Sequence, residues 1–266
     1  ALQKWHKMTL SIEGPAAKET DATNPFTNYR LMVTFSQGAT SYEVPGYFAA
    51  DGMAGETSAD SGNVWKVHFA PDEIGTWNYT VQFKSGNNIA ISNTPISGAA
   101  VSPLDGLNGS ILIAETNKTG EDNRGKGRLE YVGSRYLKFA ESGEYFLKAG
   151  ADSPENMLAY EDFDNTPNVG SRRKSWSSHI GDWNQGDPTW KGDKGKGIIG
   201  AINYLAEEEQ NVFSFLTMNI QGDDRNVFPY ISDNPADRTR MDCSKLDQWE
   251  ILFEHADKLG MFLHFK

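Results

Sequence analysis

The sequence predicts two regions of different fold class. We expect an immunoglobulin-like antiparallel β-sandwich, followed by the first strands and helices of a parallel (β/α)8 barrel. Up to about residue 105 apolar and polar side chains alternate with a period of two, and after about residue 126 compact apolar runs alternate with helical patterns. The predicted boundaries are 1–105 for the sandwich, 106–126 for a linker and 127–266 for the barrel part.

The sandwich prediction depends on short strands that are separated by Gly, Pro, Asn and Asp. In one run Trp65, Val67 and Phe69 occupy every second position, and the run at 76–83 repeats this pattern. The segment 71–75 between them has the composition of a turn, so these two strands are predicted to pair as a hairpin. Further strands are predicted at 6–12, 29–35 and 42–49.

The barrel prediction depends on the order of elements in the second region. A hairpin-like entry with runs at 136–139 and 145–149 comes first, and 145–149 is taken as the first barrel strand. The elements that follow are a helix at 197–209, a strand at 212–216, a helix at 244–259 and a strand at 261–265. This alternation indicates a parallel sheet with helices packed outside. Because no glycine-rich nucleotide-binding motif follows the first strand, a barrel is favoured over a doubly wound sheet.

Composition excludes several classes of function. A net charge of −11 argues against nucleic-acid binding, and no apolar run approaches the length of a membrane span. The one cysteine, Cys243, cannot form an internal disulfide, and no metal-binding spacing or cofactor motif is present. Because the chain begins with neither Met nor a leader segment, we expect a mature bacterial protein that is secreted, periplasmic or on the cell surface.

The predicted strand ends carry polar side chains. Ligands of such sheets bind at the carboxyl ends of the strands, so these side chains are predicted to form the rim of a substrate-binding pocket. The candidates are Asp152, Glu155 and Asn156 after the first strand, Asn219 and Asp223 after the second, and His264 and Lys266 at the third. For any one of them alone an ordinary polar loop is the better explanation, whereas a pocket better explains the whole set.

A long loop at about 150–196 adds aromatic candidates. It contains His179, Asp182, Trp183 and Trp190, together with Trp176. Aromatic rings mixed with carboxylates suit sugars, because a ring stacks on the apolar face of a pyranose while hydroxyls bond to polar groups. The alternative is that these tryptophans anchor the loop to the domain.

The same loop is locally basic. Between residues 172 and 196 the six basic residues Arg172, Arg173, Lys174, Lys191, Lys194 and Lys196 face the three acidic residues Asp182, Asp187 and Asp193. An anionic polysaccharide is therefore one hypothesis for the ligand. A solvated loop with a chance excess of charge is the other.

Several motifs resemble a known family. The stretch WKVHFAPDEIGTWNY at 65–79 resembles an N-terminal sandwich domain of exported bacterial proteins, catalogued as a domain of unknown function. FLKAGADSPEN at 146–156, GDW at 181–183, GDPTW at 186–190 and SKLDQW at 244–249 resemble the barrel that follows it. That family is similar to retaining-type glycoside hydrolases with a (β/α)8 barrel.

The resemblance implies a carbohydrate substrate and a pair of catalytic carboxylates at barrel strands four and seven. Because the sequence stops after the predicted third strand, we expect a fragment that is inactive alone and whose partner is the missing C-terminal part of the same protein. No catalytic residue is assigned in 1–266, and the pair is expected beyond residue 266. Asp152 and Glu155 come from one strand end, so they are assigned to substrate contact.

Two other functions stay open at this stage. One is a non-catalytic carbohydrate-binding or adhesion protein, and the other is a polysaccharide lyase. The pairs Asp162 and Asp164, and Asp223 and Asp224, have the oxygen ligands that suit Ca²⁺, but no metal site is predicted.

Overall fold

A computed structural model describes residues 2–93, 98–152, 155–219, 225–231 and 237–266 of the chain. The described residues belong to two compact units. The first contains Ala1–Ala54, Ala59–Thr116 and Tyr230–Cys243, and the second contains Gly55–Ser58, Asn117–Pro229 and Ser244–Lys266. Gly55–Ser58 and Tyr230–Cys243 therefore belong to a different unit from the residues on either side of them in the sequence. A single boundary along the chain could not describe this division.

The first unit consists mainly of strands. They are β1 (Leu2–Gln3), β2 (Met8–Lys18), β3 (Tyr29–Gln37), β4 (Thr40–Pro45), β5 (Tyr47–Phe48), β6 (Ser61–Phe69), β7 (Gly75–Ser85), β8 (Ala99–Ala100) and β9 (Asn108–Ala114). In the described part of this unit one sheet has the order β1-β9-β7-β3-β4 with β8 on β7, and another has the order β2-β6-β5. The helix α1 (Pro25–Asn28) and a 3₁₀ turn (Ile89–Ile91) lie between strands.

The two sheets share one hydrophobic core, as in a β-sandwich. Residues at alternate positions are buried, such as Val33 and Phe35 on β3 and Trp65 on β6. Phe35 of one sheet stacks on Phe69 of the other with ring centres 4.2 Å apart. The alternation in the sequence is thus explained by strands with one face in a core.

The predicted hairpin of the strands at 64–69 and 76–83 is wrong. β6 pairs with β2 and β5, whereas β7 pairs with β3, β8 and β9. The segment between them passes from one sheet to the other, so both strands direct their large side chains into the same core. A turn composition predicts a change of direction, but it does not decide whether the two strands pair.

The predicted linker at 106–126 also needs correction. It contains β9, which pairs with β7 over six residues and with β1 in parallel. Ile113 is buried in the sandwich core. Its apolar residues Ile111, Leu112 and Ile113 are consecutive, so the sequence shows no period of two at this strand.

The second unit mixes helices and strands. Its strands are β10 (Leu129–Tyr131), β11 (Leu137–Phe139), β12 (Tyr145–Phe146), β13 (Gly150–Ala151), β14 (Val212–Phe215) and β15 (Phe262–Phe265). Its helices are α3 (Asn123–Lys126), α4 (Lys196–Glu207) and α5 (Cys243–Lys258). The first residue of α5, Cys243, is assigned to the first unit, and α2 (Ala54–Thr57) also has residues in both units. The 3₁₀ turns are Val169–Ser171 and Ser177–Asp182. The predicted helices at 197–209 and 244–259 are confirmed within one or two residues.

The parallel sheet has the order β13-β14-β15. Phe213 and Phe215 are buried with residues of α4 and α5, so the helices cover that face of the sheet. Side chains alternate along a strand, and Ser214 therefore lies on the opposite face. On that opposite face the ring of Phe262 contacts those of Phe139 and Phe146, from the antiparallel strands β11 and β12.

The strand predicted at 145–149 is divided in the structure. β12 pairs antiparallel with β11, which confirms the predicted hairpin entry, and the parallel partner of β14 is the short strand β13. Gly150 permits this pairing, because a Cβ at this position would lie 1.8 Å from the carbonyl oxygen of Val212. The described residues thus form three parallel strands with helices on one face.

Candidate functional site

Three polar side chains form a row across the parallel sheet, on the face opposite the helices. Ser214 and His264 are direct partners in the register of β14 and β15. Ala151 is paired with Phe213, so Asp152, which follows Ala151, is next to Ser214. We call Asp152, Ser214 and His264 the strand-end row.

The row is joined by hydrogen bonds. Ser214 Oγ lies 2.7 Å from His264 Nδ1, and Ser214 also bonds to the Asp152 carboxylate. Lys148 Nζ lies 3.0 Å from the same imidazole nitrogen. Because an ammonium group only donates, Lys148 is the donor in its contact with His264 Nδ1.

A lysine connects the row to a second carboxylate. Lys266 Nζ lies 3.1 Å from Asp152 Oδ1 and 2.8 Å from Glu155 Oε1. The side chain of Asp152 is 69% exposed, whereas Ser214 is only 2% exposed, so the row has a buried centre and an open end. The structure therefore brings together four predicted residues, Asp152, Glu155, His264 and Lys266.

The charges of this group stabilise each other. The Lys266 ammonium group, followed by the Ser214 hydroxyl, lowers the pKa of Asp152 below its usual value. Glu155 and then Asp152 raise the pKa of Lys266. Asp152 is thus an anion at neutral pH, so its carboxylate can accept hydrogen bonds from the hydroxyl groups of a ligand.

Other predicted strand-end residues have structural partners. Asn219 is buried, and its Oδ1 accepts a hydrogen bond from the Val227 amide at 3.0 Å. Asn156 is buried at the start of a turn, where its carbonyl oxygen accepts from the amide of Ala159. Asp223 lies outside the described residues.

The aromatic loop divides into two groups. Trp190 is fully buried and stacks on Phe163 with ring centres 5.2 Å apart. Its ring therefore has no face that a sugar could contact, and Trp190 anchors the loop to the domain, as the alternative interpretation expected. Trp183 is partly exposed, but the ammonium group of Lys196 lies 4.9 Å from its ring centre. His179 Nδ1 is 2.8 Å from Asp182 Oδ2, and this pair is partly exposed.

The basic excess of the loop is partly neutralised within the chain. Lys191 Nζ is 2.8 Å from Asp164 Oδ1, and Lys196 Nζ is 2.6 Å from Asp193 Oδ1. Burial alone would raise the pKa of Asp164, but hydrogen bonds from Lys191, Ser58 and Gln248 more than offset it and lower that pKa. These pairs weaken the argument for an anionic ligand.

The structure adds residues that the sequence analysis did not select. Ser214 and Lys148 complete the hydrogen-bonded row. The available indication for Ser214 is that it is the one polar residue in the run Val212–Phe215, whose four residues are all buried. Lys148 is found only from its contact with a strand more than a hundred residues away in sequence.

The described residues give no group of three or more His, Cys, Asp or Glu side chains placed to hold a metal ion. Asp162, one of the candidates for Ca²⁺, instead accepts hydrogen bonds from the Tyr160 hydroxyl and the Gly195 amide. In the described part of the chain, no helix is both long and apolar enough to cross a membrane.

Comparison with known proteins supports the architecture. Residues 1–84 match the model of a domain of unknown function, DUF5060, which agrees with the resemblance found for the sandwich. No curated protein matches the chain. A crystal structure of a "putative glycoside hydrolase" from Bacteroides vulgatus ATCC 8482 is similar over 99% of this chain, with 15% identity and a TM-score of 0.58. The chain spans 40% of the length of that protein, and at this identity the similarity establishes a shared fold.

Proposed function

We propose that this chain is part of a glycoside-hydrolase-like protein that binds carbohydrate at the strand-end row. The observation that carries this proposal is the hydrogen-bonded group of Asp152, Ser214, His264 and Lys266 at the carboxyl ends of parallel strands. Carboxylate, imidazole and ammonium groups in one open row match the many donors and acceptors of a sugar. The similar fold of the Bacteroides protein supports the same class.

The three parallel strands, with helices on one face, are proposed to be the beginning of a (β/α)8 barrel. The strand-end row then lies on the inner face of that barrel, where ligands of this fold bind. In such a protein hydrolysis uses two carboxylates on opposite sides of the glycosidic bond. Asp152 and Glu155 share one lysine and one strand end, so we assign them to substrate contact and assign no catalytic pair within 1–266.

A second candidate is a non-catalytic carbohydrate-binding module that uses the same strand-end row without hydrolysis. A general acid in a glycosidase has a raised pKa, whereas the pKa of Asp152 is lowered by Lys266 and Ser214. The described strand-end row therefore has the chemistry of binding rather than of proton donation.

The test is to measure binding and cleavage separately. Isothermal titration with a panel of neutral and uronate-containing oligosaccharides gives binding, and release of reducing ends gives hydrolysis. Asp152→Asn and Lys266→Met are expected to weaken binding at least about tenfold, because each removes a charged hydrogen-bonding partner. Binding without cleavage is expected of both candidates for this chain, cleavage would exclude the binding module and place a catalytic pair within 1–266, and no binding by any sugar would refute both candidates.

We also propose an extracytoplasmic location in a bacterium, because a polysaccharide is too large to cross a membrane. Fractionation of the source cells tests this. Recovery only from the cytoplasm would contradict it.

A further inference from the structure

A short basic turn lies in the connection between β13 and α4, within the second unit. It consists of residues 171–174, and we call it the basic turn. Arg172 and Arg173 are exposed, and Lys174 is half-buried, so a ligand in solution can reach these charges. Connections that follow the carboxyl end of a parallel strand commonly carry binding residues.

The backbone of the basic turn is held at both ends. On one side the Asn226 side chain accepts from the Val169 amide at 2.7 Å and donates to the Val169 carbonyl oxygen at 3.2 Å, and Asn226 is buried. On the other side the Lys174 amide donates to the carbonyl oxygen of Ala159 at 2.7 Å, and the Lys174 carbonyl oxygen accepts from the Glu161 amide at 2.9 Å. A backbone that is already ordered loses less conformational freedom when a ligand binds.

Many cations of the second unit form ion pairs within the chain. The basic members of these pairs are Arg124, Lys126, Arg128, Lys191, Lys196 and Lys266. Among the described residues, by contrast, the side chains of Arg173, Lys174 and Lys194 have no ion-pair or hydrogen-bond partner. The chain has 36 acidic and 25 basic residues, so carboxylates are not scarce. Two adjacent cations, Arg173 and Lys174, without an internal counter-charge favour an anion from outside the chain.

The charge of the whole chain narrows the class of anion. The net charge is −11, so a ligand with closely spaced charges, such as a nucleic acid, is repelled by the rest of the surface. A sugar with one isolated carboxylate or sulfate group is repelled less, because charges beyond about 10 Å are largely screened at about 0.1 M salt. The Arg173 guanidinium has a planar pair of donors that fits such a group, and the Lys174 ammonium group adds a second positive charge.

We propose that the basic turn binds a carboxylate or sulfate group of an acidic sugar, and that Arg173 and Lys174 recognise its charge. The inference rests on the proposed function for the class of ligand, a carbohydrate, and it specifies an acidic sugar at this turn. It concerns the turn alone and does not require the same sugar residue to reach the strand-end row.

The first test compares ligands on the whole chain. Galactose trisaccharides with no anionic group, with one carboxylate group or with one sulfate group are titrated by calorimetry and by NMR of the arginine side-chain N–H signals. At least one acidic trisaccharide is expected to bind about five- to tenfold more tightly than the neutral one and to shift the Arg173 signal. The preference should decrease from about 0.01 M to about 0.1 M salt, because the Debye length shortens from about 30 Å to about 10 Å.

The second test changes the turn. Arg173→Gln together with Lys174→Gln removes both charges and is expected to reduce the preference for the acidic trisaccharide to less than about twofold. Arg135→Gln together with Lys138→Gln is the matched control, since it also removes one exposed arginine and one half-buried lysine of the second unit, in and beside β11. The control variant is expected to keep the preference. Far-UV circular dichroism checks that both variants are folded.

The outcomes separate this inference from the proposed function. If neutral and acidic sugars bind equally and Asp152→Asn weakens both, the proposed function stands and the basic turn is refuted. If acidic sugars bind through the turn and Asp152→Asn has no effect, the turn stands and the strand-end row is refuted. If no sugar binds the native chain, both fail.

Two further results would overturn the assignment to an acidic sugar. An equal loss of preference in the two double variants would show an effect of net charge rather than of the turn. Single-stranded DNA that binds the turn as tightly as the acidic trisaccharide would show a general surface for anions.

Discussion

Trp65 in the first unit and Ser214 in the second are both buried residues of a central strand, and both carry a polar atom. The indole N–H of Trp65 donates to the backbone oxygen of Pro15 at 3.1 Å, which is a partner within its own fold. Ser214 Oγ instead meets ionisable side chains of two neighbouring strands. A backbone partner satisfies a polar atom so that a core can pack, whereas a row of ionisable partners forms a surface that can bind a ligand.

The comparison is tested most strongly at Trp65. Trp65→Ala removes a fully buried ring that contacts Tyr29, Phe48 and Phe83, so we expect a loss of about 3–5 kcal/mol in the free energy of unfolding of the first unit. Denaturant unfolding followed by near-UV circular dichroism measures it. Leu112→Ala, at a 70% exposed position, is the control, with an expected change within about 0.5 kcal/mol. A cost of Trp65→Ala near that of the control would contradict the packing role.

The next largest effect concerns Glu19, a buried acid in the first unit. Burial is the main reason that its pKa is raised from 4.5 to about 7. Hydrogen bonds from Cys243 lower the pKa, whereas the charge of Asp242 and, more weakly, that of Asp60 raise it. Below pH 4.5 Glu19 is protonated in both folded and unfolded chains. As the pH rises from 4.5 to 7, only the unfolded chain readily loses the proton, so the unfolding free energy of this unit falls, by up to about 3 kcal/mol.

Glu19→Gln is expected to remove this pH dependence and to stabilise the unit above pH 7. The amide oxygen can still accept from the Cys243 amide, which Glu19 Oε1 meets at 2.7 Å. Thermal unfolding between pH 4 and 8 measures the difference. An equal slope for the native chain and the variant would show that Glu19 is not the responsible group.

A smaller effect is expected at Ser214. Ser214→Ala removes the hydroxyl that bonds to Asp152 and His264, with an expected cost of about 1 kcal/mol and a loss of carbohydrate binding. Ser110→Ala is the matched control, because Ser110 is an exposed strand serine in the first unit. If Ser214→Ala binds sugar as well as the native chain, the row does not act as one site.

The smallest effect on stability is expected for Lys266→Met. Its partners are exposed, so Tm should not change measurably. The pKa of Asp152 should nevertheless rise toward its usual value, since Lys266 is the main cause of its lowering. Carboxyl-selective NMR titration measures this, and an unchanged pKa would place Asp152 out of contact with Lys266.

Local patterns were sufficient for most elements. The helices at 196–207 and 243–258, and strands such as β3 and β14, were predicted closely because their apolar periodicity reports the face that each element buries. Pairing was predicted less well. β6 and β7 are adjacent in sequence but lie in different sheets, and β9 is a sheet strand within a predicted linker.

The site shows the same division. Polar residues after apolar runs indicated Asp152, Glu155, His264 and Lys266, which the structure brings together. The tryptophans of the long loop had the same local composition, yet Trp190 is in the core and Trp176 lines a cleft. Composition cannot separate these roles, because burial of a large ring depends on what packs against it.

The sequence by itself determined the longer strands and helices and which strand ends are polar, because these properties depend on neighbours within a few residues. Only the tertiary structure decided that Asp152, Ser214 and His264 share one face and one row. Register joins strands about 50 to 60 residues apart, and it is set by packing of Phe213 and Phe215 under the helices. Once that apolar face is buried, alternation along the strands directs the polar side chains to the opposite face.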